Sequence, residues 1–183
     1  MQNFKENNNL LFIPGWLDSG KRHGYEYYLD IWNKPVDINR DFQADYVIAH
    51  SVGALIALHN WDINKNFKII LVNPVILKGS LFKRWSCFIT YEGIPNSFKK
   101  SIRSSSVIPA LIKMIRLLKV PALDIINRIP KENLLIVYGE NDMHLGERKI
   151  IEDLNKKGFK IIEVKGAGHN YDERFEEVIS NNI

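Results

Sequence analysis

The chain has 183 residues, 45% hydrophobic and 25% charged, values that suit one soluble globular domain with one core. Its single cysteine, Cys87, excludes an intrachain disulfide and suits a reducing compartment. The net charge of +4 is unevenly spread: Lys78 to Lys131 hold 11 Lys/Arg against two acids, and the rest holds 14 against 19.

Met1 to Asn9 is polar, with no apolar stretch leading to a small-residue cleavage site. No secretory signal is read, and a cytoplasmic location is expected. A first strand is predicted over Leu10–Ile13, followed by the loop Pro14-Gly15-Trp16-Leu17-Asp18 and a helix over Tyr25–Trp32. Pro35–Ile38 is separated from the next strand by only six residues, too few for a parallel crossover. It is either an edge piece joined by a bare loop or no strand of the sheet. The second strand, Asp45–Ala49, runs directly into a helix over Val52–Trp61, and a third strand follows over Lys68–Asn73.

Val75 to Ile129 reads as a helical insertion. Ile108, Leu111, Ile112, Ile115 and Leu118 fall at helical spacing, with Lys113, Arg116 and Lys119 on the opposite side. The stretch from Val107 to Ile126 is interrupted by three basic residues and two prolines, which argues against a membrane span. A fourth strand is predicted over Leu134–Tyr138, a helix over Gly146–Lys157, and a fifth strand over Lys160–Val164. A last helix covers Tyr171–Ser180, with Asn170 as N-cap and Glu173 as its capping-box partner. Short apolar strands alternating with helices predict an α/β fold on a parallel sheet.

Three loops carry residues suited to nucleophilic catalysis. Ala49-His50-Ser51-Val52-Gly53 matches G-x-S-x-G with Ala in place of the first Gly. Small residues two before and two after the serine permit a sharp strand-to-helix turn that lifts Oγ clear of the backbone. A serine needs a base to take its proton, and the base needs an acid to fix its tautomer. Asp142 follows the fourth strand and His169 the fifth, at the strand ends where parallel sheets gather their sites. Backbone N–H groups of Val52 and Trp16 are the candidate oxyanion donors. His50 is expected to pack or hydrogen-bond beside the turn. His59 lies too far along its helix to reach Ser51, His144 is expected to be exposed, and His23 lies near the first strand. No metal and no cofactor are called for.

Pro14-Gly15-Trp16, His50-Ser51-Val52-Gly53, Tyr138-Gly139-Glu140-Asn141-Asp142 and Gly168-His169 together resemble the α/β-hydrolase superfamily, in particular its small single-domain members. The resemblance runs from Leu10 to Phe175. It implies a reduced α/β-hydrolase fold, a mostly parallel sheet of about five to six strands with helices on both faces. It also implies hydrolysis of carboxylic esters through an acyl-enzyme, with Ser51, His169 and Asp142 as triad. Two early strands of larger members are missing here, and Pro14-Gly15 stands where His-Gly is frequent. The insertion at about 75–129 occupies the position of the lid. Its positive charge points to an anionic partner. One version is an esterase or thioesterase acting on an acyl group held by an acidic carrier protein, resembling the esterases that demethylate pimeloyl-carrier esters. Another is an anionic membrane surface, with Phe82, Trp85 and Phe88 as apolar contacts. Arg103, Lys113 and Arg116 are the candidate contacts, and a small-molecule ester is the simplest substrate. Nucleic acid is not expected, since no binding motif accompanies the basic residues. The alternative class is a binding protein on a hydrolase fold, which would leave His169 out of reach of Ser51 and Asp142.

Overall fold

A computed structural model of the chain describes residues 5, 9–16, 18–32, 42–64, 67–77, 80–92, 107–142 and 148–183. The strands are β1 (Leu10–Ile13), β2 (Tyr46–His50), β3 (Lys68–Val72), β4 (Leu134–Gly139) and β5 (Lys160–Val164). Helices are α1 (Gly53–Asn64), α2 (Leu81–Glu92), α3 (Val107–Leu117), α4 (Ala122–Ile126), α5 (Arg148–Lys156) and α6 (Glu173–Ser180). All strand pairs are parallel and the order is β1-β2-β3-β4-β5. Predicted strand bounds agree with these to within a residue or so. Pro35–Ile38 lies outside the described residues.

This order decides where the helices sit. Parallel crossovers are right-handed, and here each one steps the same way across the sheet, so the helices that connect β2 through β5 fall on one face. The apolar clusters divide accordingly, by the alternation of side chains along a strand. Ile13, Val47, Ala49, Ile69, Leu71, Leu134 and Ile136 pack with α1, α3, α4 and α5. Phe12, Ile48, Ile70, Val72, Leu135 and Val137 face the other way, where Tyr25, Tyr171 and Phe175 cover them. Helix α1 is central and almost wholly buried, as its apolar composition on every side requires.

Two expectations are corrected, and the inward face of a predicted helix is fixed. Tyr25–Trp32 is not a helix. Gly20–His23 form a single 3-10 turn ended by Gly24 at φ 75°, and the chain then runs extended along β1. The Phe12 N–H donates to the Tyr27 carbonyl at 3.0 Å and the Leu29 N–H to the Phe12 carbonyl at 2.9 Å. The polar edge of β1 is satisfied in this way, and the aromatic residues here suit an extended chain. Tyr25 then joins one apolar cluster, and Leu29, Ile31 and Trp32 the other.

The N-cap of α6 is Asp172 rather than Asn170; its carboxylate accepts the Arg174 N–H at 3.1 Å. Tyr171 is drawn into the core, so the helix begins two residues later than predicted. Helix α3 exists, but its buried stripe is Ala110, Met114 and Leu117, while Ile108, Ile112 and Ile115 are exposed. Both stripes have helical spacing, and the one containing the small Ala110 lies on the core side. No helix among the described residues is long and apolar enough to cross a membrane.

Candidate active site

Five strand ends converge at one edge of the sheet, and each supplies part of the site. At the end of β2, Ser51 has φ 53°, a left-handed conformation unusual for a non-glycine residue. Its N–H donates to the Val72 carbonyl at 2.9 Å, and its own carbonyl accepts from the Ala54 N–H at 3.1 Å. Gly53 makes the turn possible: a Cβ there would lie 2.6 Å from the Ile13 carbonyl oxygen. Gly15 does the same from the other side, where a Cβ would come 2.9 Å from His50 Nδ1 and 3.1 Å from Ser51 Cβ.

Asp142 closes a turn after β4, its N–H donating to the Gly139 carbonyl at 3.0 Å. The Asn141 N–H donates to Ala167 at 2.8 Å, tying this turn to the loop after β5. That loop places His169 between the other two residues. Its Nδ1 is 3.0 Å from Asp142 Oδ1 and its Nε2 is 2.9 Å from Ser51 Oγ. A carboxylate only accepts, so the proton sits on Nδ1 of the neutral ring, Nε2 is bare, and the Ser51 hydroxyl donates to it. The Asp142 side chain is fully buried and that of His169 is 13% exposed. A bare imidazole nitrogen against a serine hydroxyl, with a buried carboxylate behind it, is the arrangement that proton transfer from Ser51 needs.

The candidate oxyanion groups flank Ser51. Val52 leads into α1, at the helix end whose N–H groups lack intrahelical acceptors. Trp16 follows Gly15, and the Gly15 carbonyl accepts from the Trp32 indole N–H at 2.6 Å and from the Asp18 N–H at 3.2 Å. In a trans peptide the C=O and the following N–H point opposite ways, so this hold on Gly15 aims the Trp16 N–H away from Trp32.

The basic residues of the insertion fare differently. Arg103 lies outside the described residues. Arg116 is exposed on α3. Lys113 instead donates to the Ile31 carbonyl at 2.5 Å, and partial burial lowers its pKa against the opposing pull of Asp30. Of the apolar candidates, Phe82 is 80% exposed and Trp85 is half-buried, while the Phe88 side chain lies outside the description.

His144 also lies outside the described residues. His23 pairs with Asp18 at 2.6 Å. His50 is buried, and its Nε2 donates to the His169 carbonyl at 2.8 Å. Burial first, then the neighbouring His169, lowers its pKa to about 4. Two residues at the site carried no sequence signal. Trp32 holds the Gly15 peptide, and Asn73, at φ 44° after β3, bonds to the last residue of β4 and to the loop after β5. Asn is among the residues that enter this backbone region most readily, which is the one hint its position offered.

No protein-family model matches the sequence, and no curated protein sequence matches it. Solved structures do. A serine hydrolase of Cycloclasticus zankles superposes with a TM-score of 0.61 at 10% identity, over 96% of this chain and 88% of that one. The N-formylmaleamic acid deformylase of Pseudomonas putida S16 gives 0.58 at 16% identity, over 94% and 91%. A carboxylesterase structure from Nitrososphaera gargenis gives 0.50 at 12% identity; there the match covers 74% of this chain and 63% of the other. At such identities the likeness is one of fold.

Proposed function

From the premise that this chain has the α/β-hydrolase fold, we propose that it is a serine hydrolase that cleaves carboxylic esters through an acyl-enzyme. The observation that carries the reading is the unbroken line from Asp142 through His169 to Ser51, with bonds of 3.0 and 2.9 Å. A protein that only binds has no need of that alignment, together with a serine held in a left-handed turn.

In the proposed reaction Ser51 Oγ attacks the ester carbonyl carbon and its proton passes to His169 Nε2. Asp142 steadies the imidazolium through Nδ1. The carbonyl oxygen becomes an oxyanion facing the N–H groups of Val52 and Trp16. Collapse of the intermediate expels the alkoxide, which takes the proton from His169 and leaves as alcohol. Water then repeats the sequence on the acyl-enzyme, with His169 again as base, and frees the carboxylic acid. We take a small-molecule ester as substrate. The carrier-protein and anionic-surface versions rested on the basic insertion, and Lys113 is engaged within the protein rather than free to meet a partner.

The test is covalent labelling by a fluorophosphonate probe, beside hydrolysis of p-nitrophenyl esters of graded acyl length. Parent protein should be labelled and Ser51→Ala should not, with turnover in that variant down by at least about a thousandfold. A folded parent protein that takes no label at Ser51 would sink the reading.

A further inference from the structure

Behind the imidazole of His169, two buried side chains converge on a single atom. The His169 carbonyl oxygen accepts from His50 Nε2 at 2.8 Å and from Asn73 Nδ2 at 2.8 Å. The same Asn73 amide reaches the Gly168 carbonyl at 3.0 Å, and its Oδ1 accepts the Gly139 N–H at 2.8 Å. One side chain from the end of β3 thus joins the turn that carries Asp142 to the loop that carries His169. His50, at the end of β2, closes on that loop from the side of Ser51. Both residues are at most 5% exposed. The fit leaves no slack, since a Cβ on Gly139 would sit 2.6 Å from the carbonyl oxygens of both Ala167 and Gly168.

We propose that Asn73 and His50 are positioning residues, a two-donor clamp on the His169 backbone that keeps its imidazole in line between Asp142 and Ser51. The proposal rests on the reading of His169 as the base. A loop fixed only through its side-chain bonds could trade the Ser51 contact for solvent. A carbonyl held from two directions fixes the peptide from which the ring hangs, and small displacements of a base are costly to catalysis. The chemistry of the donors suits the task. His50 faces a carbonyl, so its Nε2 carries the proton. Its neighbours include His169, Asp18 and His23, yet burial keeps it neutral. Replacing it therefore changes no charge at neutral pH.

Two pairs of readouts test the clamp. Asn73→Gly removes the amide while keeping a residue that tolerates a positive φ. His50→Phe keeps a ring without the donor, and His50→Gln supplies an amide donor in its place. Circular dichroism and thermal melts establish that each variant is folded. In Asn73→Gly and His50→Phe, kcat for a p-nitrophenyl ester should fall by about 10- to 100-fold with KM nearly unchanged. His50→Gln should recover most of that loss. The second readout, nitrogen-15 NMR of the histidine rings, needs no turnover. A His169 that drifts from Asp142 loses stabilisation of its imidazolium, so its titration midpoint should move to lower pH in the two donor-less variants. Unchanged kcat and an unchanged His169 midpoint in folded Asn73→Gly and His50→Phe would overturn the clamp. So would a His50→Gln as impaired as His50→Phe, because a restored donor would then not recover what the ring without a donor had lost. A parent protein without labelling at Ser51 would end the hydrolase reading, while the NMR midpoints would still decide the clamp.

Discussion

Ser51, Asp142 and His169 lie far apart in sequence, yet each could be placed from the chain alone. A serine between small residues marks a sharp turn, and a carboxylate and a histidine after successive strands must meet at the same sheet edge. His50 was legible as a residue that packs or hydrogen-bonds beside the turn, but its partner was not, and Asn73 was not legible at all. Their bonds run to backbone groups, and a backbone group carries no residue identity by which a partner might be guessed. His50 also has a thermodynamic consequence. Its native pKa is about 4, against 6.5 when exposed. Between those values the unfolded chain binds a proton that the native state refuses, so stability rises with pH across that window. The contribution is complete above the exposed value and lost as pH falls toward the native one. Its full span is on the order of 3 kcal/mol. Asp18, lowered by its bond to His23 against the burial that opposes it, is lost only at still lower pH and leaves this window clear. Urea unfolding at several pH values from 4 to 7 should show a steep acid limb in the parent and a flatter one in His50→Gln. Parallel limbs would mean that His50 is protonated in the native state.

Among elements, strands were read well because a fully buried parallel strand is a short apolar run with nothing else to be. Helix faces were not. Helix α3 carries two apolar stripes, and which one turns inward depends on the surface it meets rather than on its own pattern. The helix predicted over Tyr25–Trp32 does not form for a related reason: its apolar residues divide between two clusters on opposite faces of the sheet, which no helix could serve. That segment also links α3 to the candidate oxyanion loop. Lys113 of α3 holds the Ile31 carbonyl, and the next residue, Trp32, holds the Gly15 carbonyl. Trp32→Phe keeps an aromatic ring against Trp16, with which Trp32 makes an edge contact at 4.7 Å, and deletes the N–H. The Gly15 carbonyl then loses the shorter of its two bonds and keeps only the Asp18 N–H, so the Gly15–Trp16 peptide is held less firmly. Turnover should fall by about tenfold, a fraction of the 10²–10³ that follows outright removal of an oxyanion donor. Fluorophosphonate labelling should slow in parallel, since phosphonylation forms a similar anion. If both rates match the parent in a folded Trp32→Phe, the Gly15–Trp16 peptide is not part of the oxyanion site.

At the scale of the whole molecule, the sequential strand order has a cost. With the helices that connect β2 through β5 on one face, the opposite face of the sheet is left to the segment around Tyr25, within the β1–β2 connection, and to the last helix. The hydroxyls of Tyr25 and Tyr171 meet at 2.5 Å across that surface, and burial raises the pKa of both. Phe175 is fully buried there, stacked on Tyr171 with ring centroids 6.0 Å apart. Helix α6 has only eight residues and would not persist alone. Its stability must therefore come from docking, and docking must come chiefly from Phe175 and Ile179. Phe175→Ala should cost about 3–5 kcal/mol, against about 1 kcal/mol for loss of the cap in Asp172→Ala. The two variants separate helix capping from core closure, since Asp172 is only half-buried and Phe175 is fully buried. Denaturant unfolding should remain a single transition in both, with the midpoint of Phe175→Ala much the lower, because Ile48, Ile70, Val72 and Val137 lose their cover when α6 leaves. Two separate transitions in Phe175→Ala would show instead that the sheet and its crossover helices hold together without α6, and that the second face is not needed for the fold.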